Sequence, residues 1–236
     1  MHLPTLEGLI RRRILVNFRI DLEVARTLVP EPLELDVHGG WAHAGICLIR
    51  LEQIRPTCSP IEIGIASENV AHRFAVTRPG EPPQSGVFVP RRDTDNLLNR
   101  IAGGRLFPGR HGRARFVVDD ALRDGGDLAL SIHGEDGLAI TVRGRPTKAW
   151  PSTSVFEALD QASAFYSRGV RGWSPNGRGE LEAVDLCISQ WRCTAFELDA
   201  LHSSYFADTE RFPAGSVEFD HALFMQDIQH EWHAVS

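Results

Sequence analysis

Lysine is nearly absent from this sequence, and cysteine is scarce. Lys148 is the single lysine among 25 basic residues, so arginine carries almost all of the positive charge. The four cysteines never occur as C-x-x-C, which disfavours a zinc site. We therefore expect reduced thiols, no disulfides and a cytoplasmic location.

Signals that mark several other classes of protein are also missing. No G-x-G-x-x-G, Walker A or G-x-S-x-G pattern occurs, which disfavours a nucleotide-binding protein and an α/β-hydrolase. The sequence contains no stretch of 18 apolar residues and no basic segment followed by an apolar run at its start, so we expect no membrane partner. A formal net charge of −6 argues against nucleic acid as a partner.

A cluster of potential metal ligands lies near the C-terminus. It does not follow the H-E-x-x-H spacing, and no third ligand shares a helical face with two of its histidines. We therefore expect neither a metal nor a cofactor. The cluster consists of His221, His230, Glu231 and His233.

Positive charge is concentrated between Gly86 and Phe116. This stretch contains seven arginines and two aspartates, a formal charge of about +5, which leaves about −11 for the rest of the chain. Such a concentration is typical of a solvated face or of a wall that receives an anion. The run from Asp93 to Asp95 predicts the start of a short helix over Leu97 to Ile101. If the segment forms a wall, its turns bring one set of residues to a common rim: Arg91, Arg92, Arg105, Arg110 and His111.

Residues 61–77 are predicted to form one long strand. Glu68 and His72 share a parity with Val70, whereas Arg73 has the other parity. If the strand face that carries Val70 points to the core, Glu68 and His72 on the same face are buried too. A buried carboxylate requires a partner or a raised pKa.

Short strands separated by turn residues dominate the rest of the chain. We expect about ten strands with two or three small helices, one over 22–28 and another that follows the capping-box residues Ser154 and Glu157. The stretch 171–179 is predicted to be a loop, and the tail a strand or a short helix. The expected fold is predominantly β, a closed or half-closed antiparallel β-barrel with a few short helices, because closure removes exposed sheet edges. Residues 1–236 are expected to form one domain.

Motifs spread over nearly the whole chain resemble those of the uncharacterised YqjF-like family, the DUF2071 group, which is similar in fold to the acetoacetate decarboxylases. The resemblance implies a cone-shaped β-barrel with a central cavity, commonly in a homo-oligomer. It leaves the chemistry open, because the function of the family is unknown. The motifs are Val29-Pro30-Glu31-Pro32-Leu33, Gly39-Gly40-Trp41, Glu68, Gly86-Val87-Phe88, Arg105-Leu106-Phe107-Pro108 and Ser203-Ser204-Tyr205-Phe206.

The sequence departs from the decarboxylase pattern at the catalytic motif. Acetoacetate decarboxylases use a lysine of a Pro-Lys-Lys motif to form a Schiff base. Every basic residue from Arg105 to Arg115 is instead Arg or His, and neither forms that imine. Glu68 falls where the decarboxylases carry a cavity glutamate, and His72 stands where many YqjF-like sequences carry arginine.

Two functional hypotheses follow. The first is a non-decarboxylating enzyme of the lyase, hydratase or aldolase type that acts on a small carboxylate or oxo acid. Its catalytic residues are Glu68 and His72, and its substrate-binding residues are Arg91, Arg92, Arg105 and His111. The second is a non-catalytic ligand-binding or assembly protein on the same barrel. A cavity on which two or more arginines converge would favour the first hypothesis, and a cavity plugged by aromatic side chains the second.

Overall fold

The structure is a computed structural model that describes residues 5–58, 64–96 and 111–235. These residues contain two α-helices, α1 (Leu22–Leu28) and α2 (Leu159–Ser167), and a 3₁₀ turn at Leu122–Asp124. The strands are β1 (Leu6–Ile20), β2 (Glu34–Leu35), β3 (Val37–His38), β4 (Trp41–Pro56), β5 (Ile65–Arg78), β6 (Gln84–Thr94), β7 (His111–Asp120), β8 (Leu128–Gly134), β9 (Ala139–Thr147), β10 (Arg171–Pro175), β11 (Leu181–Ile188), β12 (Thr194–Ser203) and β13 (Val217–Val235).

Nine strands close into a barrel in the order β6, β7, β8, β9, β12, β13, β1, β4, β5 and back to β6. All of these pairs are antiparallel except β6 with β7. Alternate residues of each strand point inward and form the main apolar core, with Ile14, Leu48, Val70 and Ile132 among them. The predicted β-barrel with few helices is confirmed.

Strands β10 and β11 close a second ring on one side of the barrel. β10 pairs with β6, β11 pairs with β10, and β11 also pairs with β13. Strands β13, β1, β4, β5 and β6 therefore form a wall shared by both rings, and both faces of this wall are covered. On β4, Leu48 belongs to the barrel core, whereas Cys47 packs on the other face with Phe165 of α2. This arrangement explains why most of β4 is buried on both faces.

Two predicted helix caps are wrong. Asp93 does not cap a helix: it lies inside β6, and both of its carboxylate oxygens accept hydrogen bonds from Arg91. The helix expected over Leu97 to Ile101 lies outside the described residues. Ser154 does not cap a helix either: its hydroxyl donates to Asp220 at 2.6 Å, and α2 begins only at Leu159.

Two other predictions of local structure are confirmed, and a third is wrong. α1 spans the expected residues, and the tail forms a strand, β13. The stretch expected to be a loop instead begins with β10, which pairs with β6. Neither described helix, with seven and nine residues, is long enough to cross a membrane.

Candidate functional site

A cavity of about 130 Å³ lies between the shared wall and the strands of the second ring. We call it the arginine cavity, because Arg13, Arg73 and Arg92 line it. Most of its other lining residues are apolar. They include Ile49, Leu51, Val87, Val89, Val184, Leu186 and Trp232.

Strand register brings the three arginines around a floor of small side chains. Cys47 of β4 lies opposite Ala71 of β5, and Ala71 lies opposite Arg92 of β6. Arg73 is two residues beyond Ala71 on the same face of β5. On β1, Leu15 lies opposite Cys47, and Arg13 lies two residues before Leu15 on the same face. Because side chains two residues apart share a face, all three arginines project from the face of the wall that carries Cys47 and Ala71, and all three line the cavity.

None of the three arginines has a carboxylate of the described residues within 4.0 Å. Arg13 lies over the ring of Trp191, with 5.7 Å between its Cζ and the ring centroid, and Arg92 donates to the hydroxyl of Ser174 at 3.1 Å. The Nε atoms of Arg13, Arg73 and Arg92 have no hydrogen-bond partner in the described part of the chain. Buried cations are normally paired, because the loss of hydration is costly without a counter-charge.

Burial lowers the pKa values of two arginines of this cavity. Arg13 and Arg73 are only 8% and 4% exposed. Loss of hydration lowers the pKa of Arg92 to about 10, and it also lowers the pKa of Arg73. Both groups remain cationic at neutral pH. An anion that enters the cavity would therefore meet cations whose hydration the fold has already removed.

A chain of hydrogen bonds through Asn17 and His221 orients Arg73. Arg73 donates to the Oδ1 of Asn17, and the Nδ2 of Asn17 lies 3.0 Å from the Nε2 of His221. The Nδ1 of His221 lies 2.5 Å from the carboxylate of Asp220, which is fully buried. Arginine only donates, so the Asn17 oxygen must face Arg73 and its nitrogen must donate to His221. His221 is therefore neutral and carries its proton on Nδ1, in agreement with a pKa that burial lowers.

Glu68 and His72 lie on the barrel face of β5, opposite to the face of Arg73. The expectation that they share one cavity with Arg92 and His111 is therefore wrong. The alternation of side chains along β5 gives the reason. The residues that share a face with Val70 point to the barrel core, whereas those that share a face with Arg73 point to the arginine cavity. Whether Glu68 and His72 take part in catalysis stays a prediction.

Glu68 is buried, as its sequence position predicts, with 6% of its surface exposed. It accepts a hydrogen bond from Arg12 at 2.7 Å, and Arg50 lies 3.8 Å away. Arg12 also donates to Asp120. Burial raises the pKa of Glu68 in spite of these two arginines. Glu68, Arg12, Arg50 and Asp120 thus form an ionic cluster.

His72 is fully buried and stacks on Tyr205, with 4.2 Å between the ring centroids. Neither ring nitrogen has a hydrogen-bond partner among the described residues. Burial lowers the pKa of His72 to about 3, and the positive charges of Arg91 and Arg211 act in the same direction. His72 is therefore a neutral aromatic residue of the core at neutral pH.

The four predicted substrate-binding residues are separated by the fold. Arg92 and His111 line the arginine cavity. Arg91 is held by both oxygens of Asp93 and by Asp136, so its charge is already compensated. Arg105 lies outside the described residues. The role of these four residues in binding stays a prediction.

Arg13 and Arg73 were missed as candidate site residues, although the sequence carries a signal for each. Each directly precedes an apolar run inside a long strand: Arg13 precedes Ile14 to Val16, and Arg73 precedes Phe74 to Val76. A charged residue beside an apolar run of a strand indicates a buried charge and therefore a candidate site.

Comparison with known proteins identifies the fold. The fold is that of the acetoacetate decarboxylases: the acetoacetate decarboxylase of Legionella pneumophila superposes with a TM-score of 0.61 at 15% identity, over 99% of this chain and 88% of that one. An acetoacetate decarboxylase-like enzyme of Sphingomonas wittichii RW1 gives 0.58 at 14% identity, over 99% and 92%. The enduracididine biosynthesis enzyme MppR complexed with pyruvate gives 0.55 at 14% identity, over 99% and 90%.

The family itself is shown by the sequence. Residues 10–227 match the DUF2071 family of uncharacterised conserved proteins, and the chain belongs to this family. No curated protein sequence matches it significantly. The identities to the solved structures are low, so these structures establish the fold and not the reaction.

The single lysine is not part of the arginine cavity. Lys148 is exposed and follows the end of β9, a strand that lies outside the shared wall. The residues that line the cavity among the described parts of the chain include no lysine. A covalent imine with a bound ketone therefore has no nucleophile there.

Proposed function

We propose that the protein binds a small organic carboxylate or oxo acid in the arginine cavity. One observation carries this proposal: three cations, two of them buried, line one cavity without a carboxylate partner in the described residues. A carboxylate would supply the missing counter-charge and would accept hydrogen bonds from guanidinium groups.

We further propose that the bound acid reacts without a Schiff base. Guanidinium groups stabilise negative charge that develops on a carbonyl oxygen, as an enolate or an addition intermediate requires. We assign a substrate contact to His111, which lines the cavity beside Arg92. This assignment corresponds to a lyase, hydratase or aldolase-type reaction. The pyruvate complex of MppR supports the choice of substrate class, since that enzyme has the same fold.

A specific observation also supports the alternative, a binding protein without catalysis. Glu68 and His72 face away from the cavity, and Asp93 is neutralised by Arg91. Few groups able to remove a proton from a bound acid therefore remain among the described residues that line the cavity. Binding and turnover need separate measurements.

Calorimetric titration with pyruvate and acetoacetate tests the proposal. The two variants to compare are Arg92→Gln and Arg115→Gln, because Arg115 is exposed on β7. We expect Arg92→Gln to abolish the heat of binding and Arg115→Gln to retain it. Product analysis by NMR of the same mixtures then separates an enzyme from a binding protein. The anion site would be refuted if both variants bound the acids equally well, or if the wild type bound neither acid.

A further inference from the structure

Cys47 is a free thiol in the wall of the arginine cavity. It belongs to the middle one of three rows of paired residues on this face: Arg92 is in the same row, Arg73 in the row on one side and Arg13 in the row on the other. A cysteine side chain extends one bond beyond its Cβ, so the strand register fixes the position of the sulfur. The thiol therefore faces the space that the three arginines line.

A hydrogen bond places one cation beside this thiol. Arg73 donates to the side-chain oxygen of Asn17 on β1, so its side chain crosses β4 at Gly45, two residues before Cys47 on the same face. Burial lowers the pKa values of Arg73 and Arg92, and interaction with Cys47 acts in the opposite direction on both. The thiol is thus within electrostatic range of both guanidinium groups, although they turn to different strands.

A second observation points to an acid as the ligand of this cavity. Arg13 lines the cavity and is only 8% exposed, and its Nε has no hydrogen-bond partner among the described residues. A carboxylate that enters the cavity would supply the counter-charge that a buried cation needs. Ala71, opposite Cys47 on β5, has only a methyl group, which leaves space for a small acid next to the sulfur.

We infer that Cys47 is a nucleophile that adds reversibly to the keto carbon of an α-oxo acid bound in the arginine cavity. This inference rests on the proposed function and assigns a reacting group to it. The bond between the sulfur and the keto carbon forms, the π bond of the carbonyl breaks, and the thiol proton passes to the carbonyl oxygen, which gives a thiohemiketal. The cations of the cavity stabilise the negative charge that develops on this oxygen. The step consumes no other reactant.

Matched acids test the inference. Pyruvate is compared with lactate, which keeps the carboxylate but has no carbonyl group, by calorimetric titration of the whole protein. We expect the wild type to bind pyruvate at least about tenfold more tightly than lactate, and Cys47→Ala to bind the two acids within about twofold of each other. An unchanged preference for pyruvate in Cys47→Ala, or equal binding of both acids by the wild type, would overturn the inference and leave the proposed function standing. Binding of neither acid by the wild type would overturn both.

NMR of the native protein detects the adduct directly. Pyruvate labelled with carbon-13 at the keto carbon should give, with the wild type, the signal of a tetrahedral carbon bonded to sulfur, and Cys47→Ala should not give this signal. Native conditions are needed because the adduct reverses when the protein unfolds, so the intact mass stays unchanged. Circular dichroism and thermal unfolding establish that the variant folds. Bound pyruvate that keeps its carbonyl signal, or an adduct that persists in Cys47→Ala, would contradict the assignment.

Bromopyruvate gives an irreversible readout of the same thiol, because the sulfur displaces bromide and keeps the label. Peptide mass spectrometry distinguishes Cys47 from Cys58 and Cys187, which are exposed. We expect labelling of Cys47 in spite of its burial, and we expect pyruvate to slow the labelling of Cys47 alone. Arg13→Gln should slow the labelling of Cys47 by roughly tenfold and leave that of Cys58 unchanged, because it removes a cation that binds the carboxylate. Labelling of the exposed thiols only would overturn the inference.

Discussion

Arg73 reaches across Gly45 of β4 to donate a hydrogen bond to the side-chain oxygen of Asn17 on β1. The contact depends on the glycine: a Cβ at position 45 would lie 2.3 Å from the carbonyl oxygen of Val16 and 3.3 Å from the Asn17 oxygen. The orientation of a cavity arginine is thus set by residues outside the cavity. Asn17 acts as a positioning residue, with His221 behind it.

The first prediction concerns Asn17→Ala. The change removes the acceptor of Arg73 and the donor to His221, which leaves two buried polar groups unsatisfied. We expect a loss of about 2–5 kcal/mol in the free energy of unfolding, measured by urea denaturation. Gln229→Ala removes a side chain of similar chemistry from an exposed position of β13 and should cost less than about 0.5 kcal/mol. Equal losses would mean that the hydrogen-bond chain contributes nothing specific.

The second prediction concerns Glu68→Gln. The substitution breaks the ion pair with Arg12 in the barrel, so we expect a loss of stability of about 1–3 kcal/mol. Because Glu68 faces away from the arginine cavity, ligand affinity there should stay within about twofold of the wild type. Loss of binding or of turnover with unchanged stability would instead support the catalytic role that the sequence predicts for Glu68.

The third prediction concerns pH. Burial lowers the pKa of His72 to about 3 and the pKa values of His43 and His230 to about 4. Below the unfolded value of about 6.5 the unfolded chain takes up protons that the folded chain does not, so stability falls as pH falls from about 6.5 to about 4. Each of these histidines should contribute a slope of up to about 1.4 kcal/mol per pH unit.

The variant His72→Phe tests this assignment. It keeps an aromatic ring on Tyr205 and removes two buried nitrogens that have no partner among the described residues. We expect it to reduce the slope between pH 6 and pH 4.5 by the contribution of one histidine, as measured by urea unfolding at the two pH values. Parallel curves for variant and wild type would contradict the lowered pKa.

The fourth prediction concerns the Schiff base. Incubation with acetoacetate or pyruvate and borohydride should leave the intact mass of the protein unchanged, because Lys148 is exposed and does not line the cavity. A genuine acetoacetate decarboxylase treated in parallel should gain the mass of the reduced adduct and serves as the positive control. A stoichiometric adduct on Lys148 would overturn the proposal of a reaction without an imine.

Short motifs were the least reliable part of the sequence prediction. The Asp93 run and the Ser154 capping box both resemble helix starts, yet each side chain has another partner. Asp93 binds the guanidinium of Arg91, two residues away inside β6, and Ser154 donates to Asp220, which is 66 residues away in sequence. The motif does not show which partner the fold provides, so a capping motif predicts only what the side chain can do.

The sequence by itself determined the β-rich class, the helix at 22–28, the burial of Glu68 and the division of β5 into two sets of side chains. Hydrophobic alternation is enough for the strand features, because it reports which residues share a face. Only the tertiary structure decided which face of β5 lines a cavity. The wall of β13, β1, β4, β5 and β6 is covered on both sides, by the barrel and by the ring that β10 and β11 close. Because both faces of this wall are buried, the alternation of side chains no longer separates core residues from exposed ones. The charge on Arg73 stays uncompensated because the strands beside it contribute no carboxylate within reach.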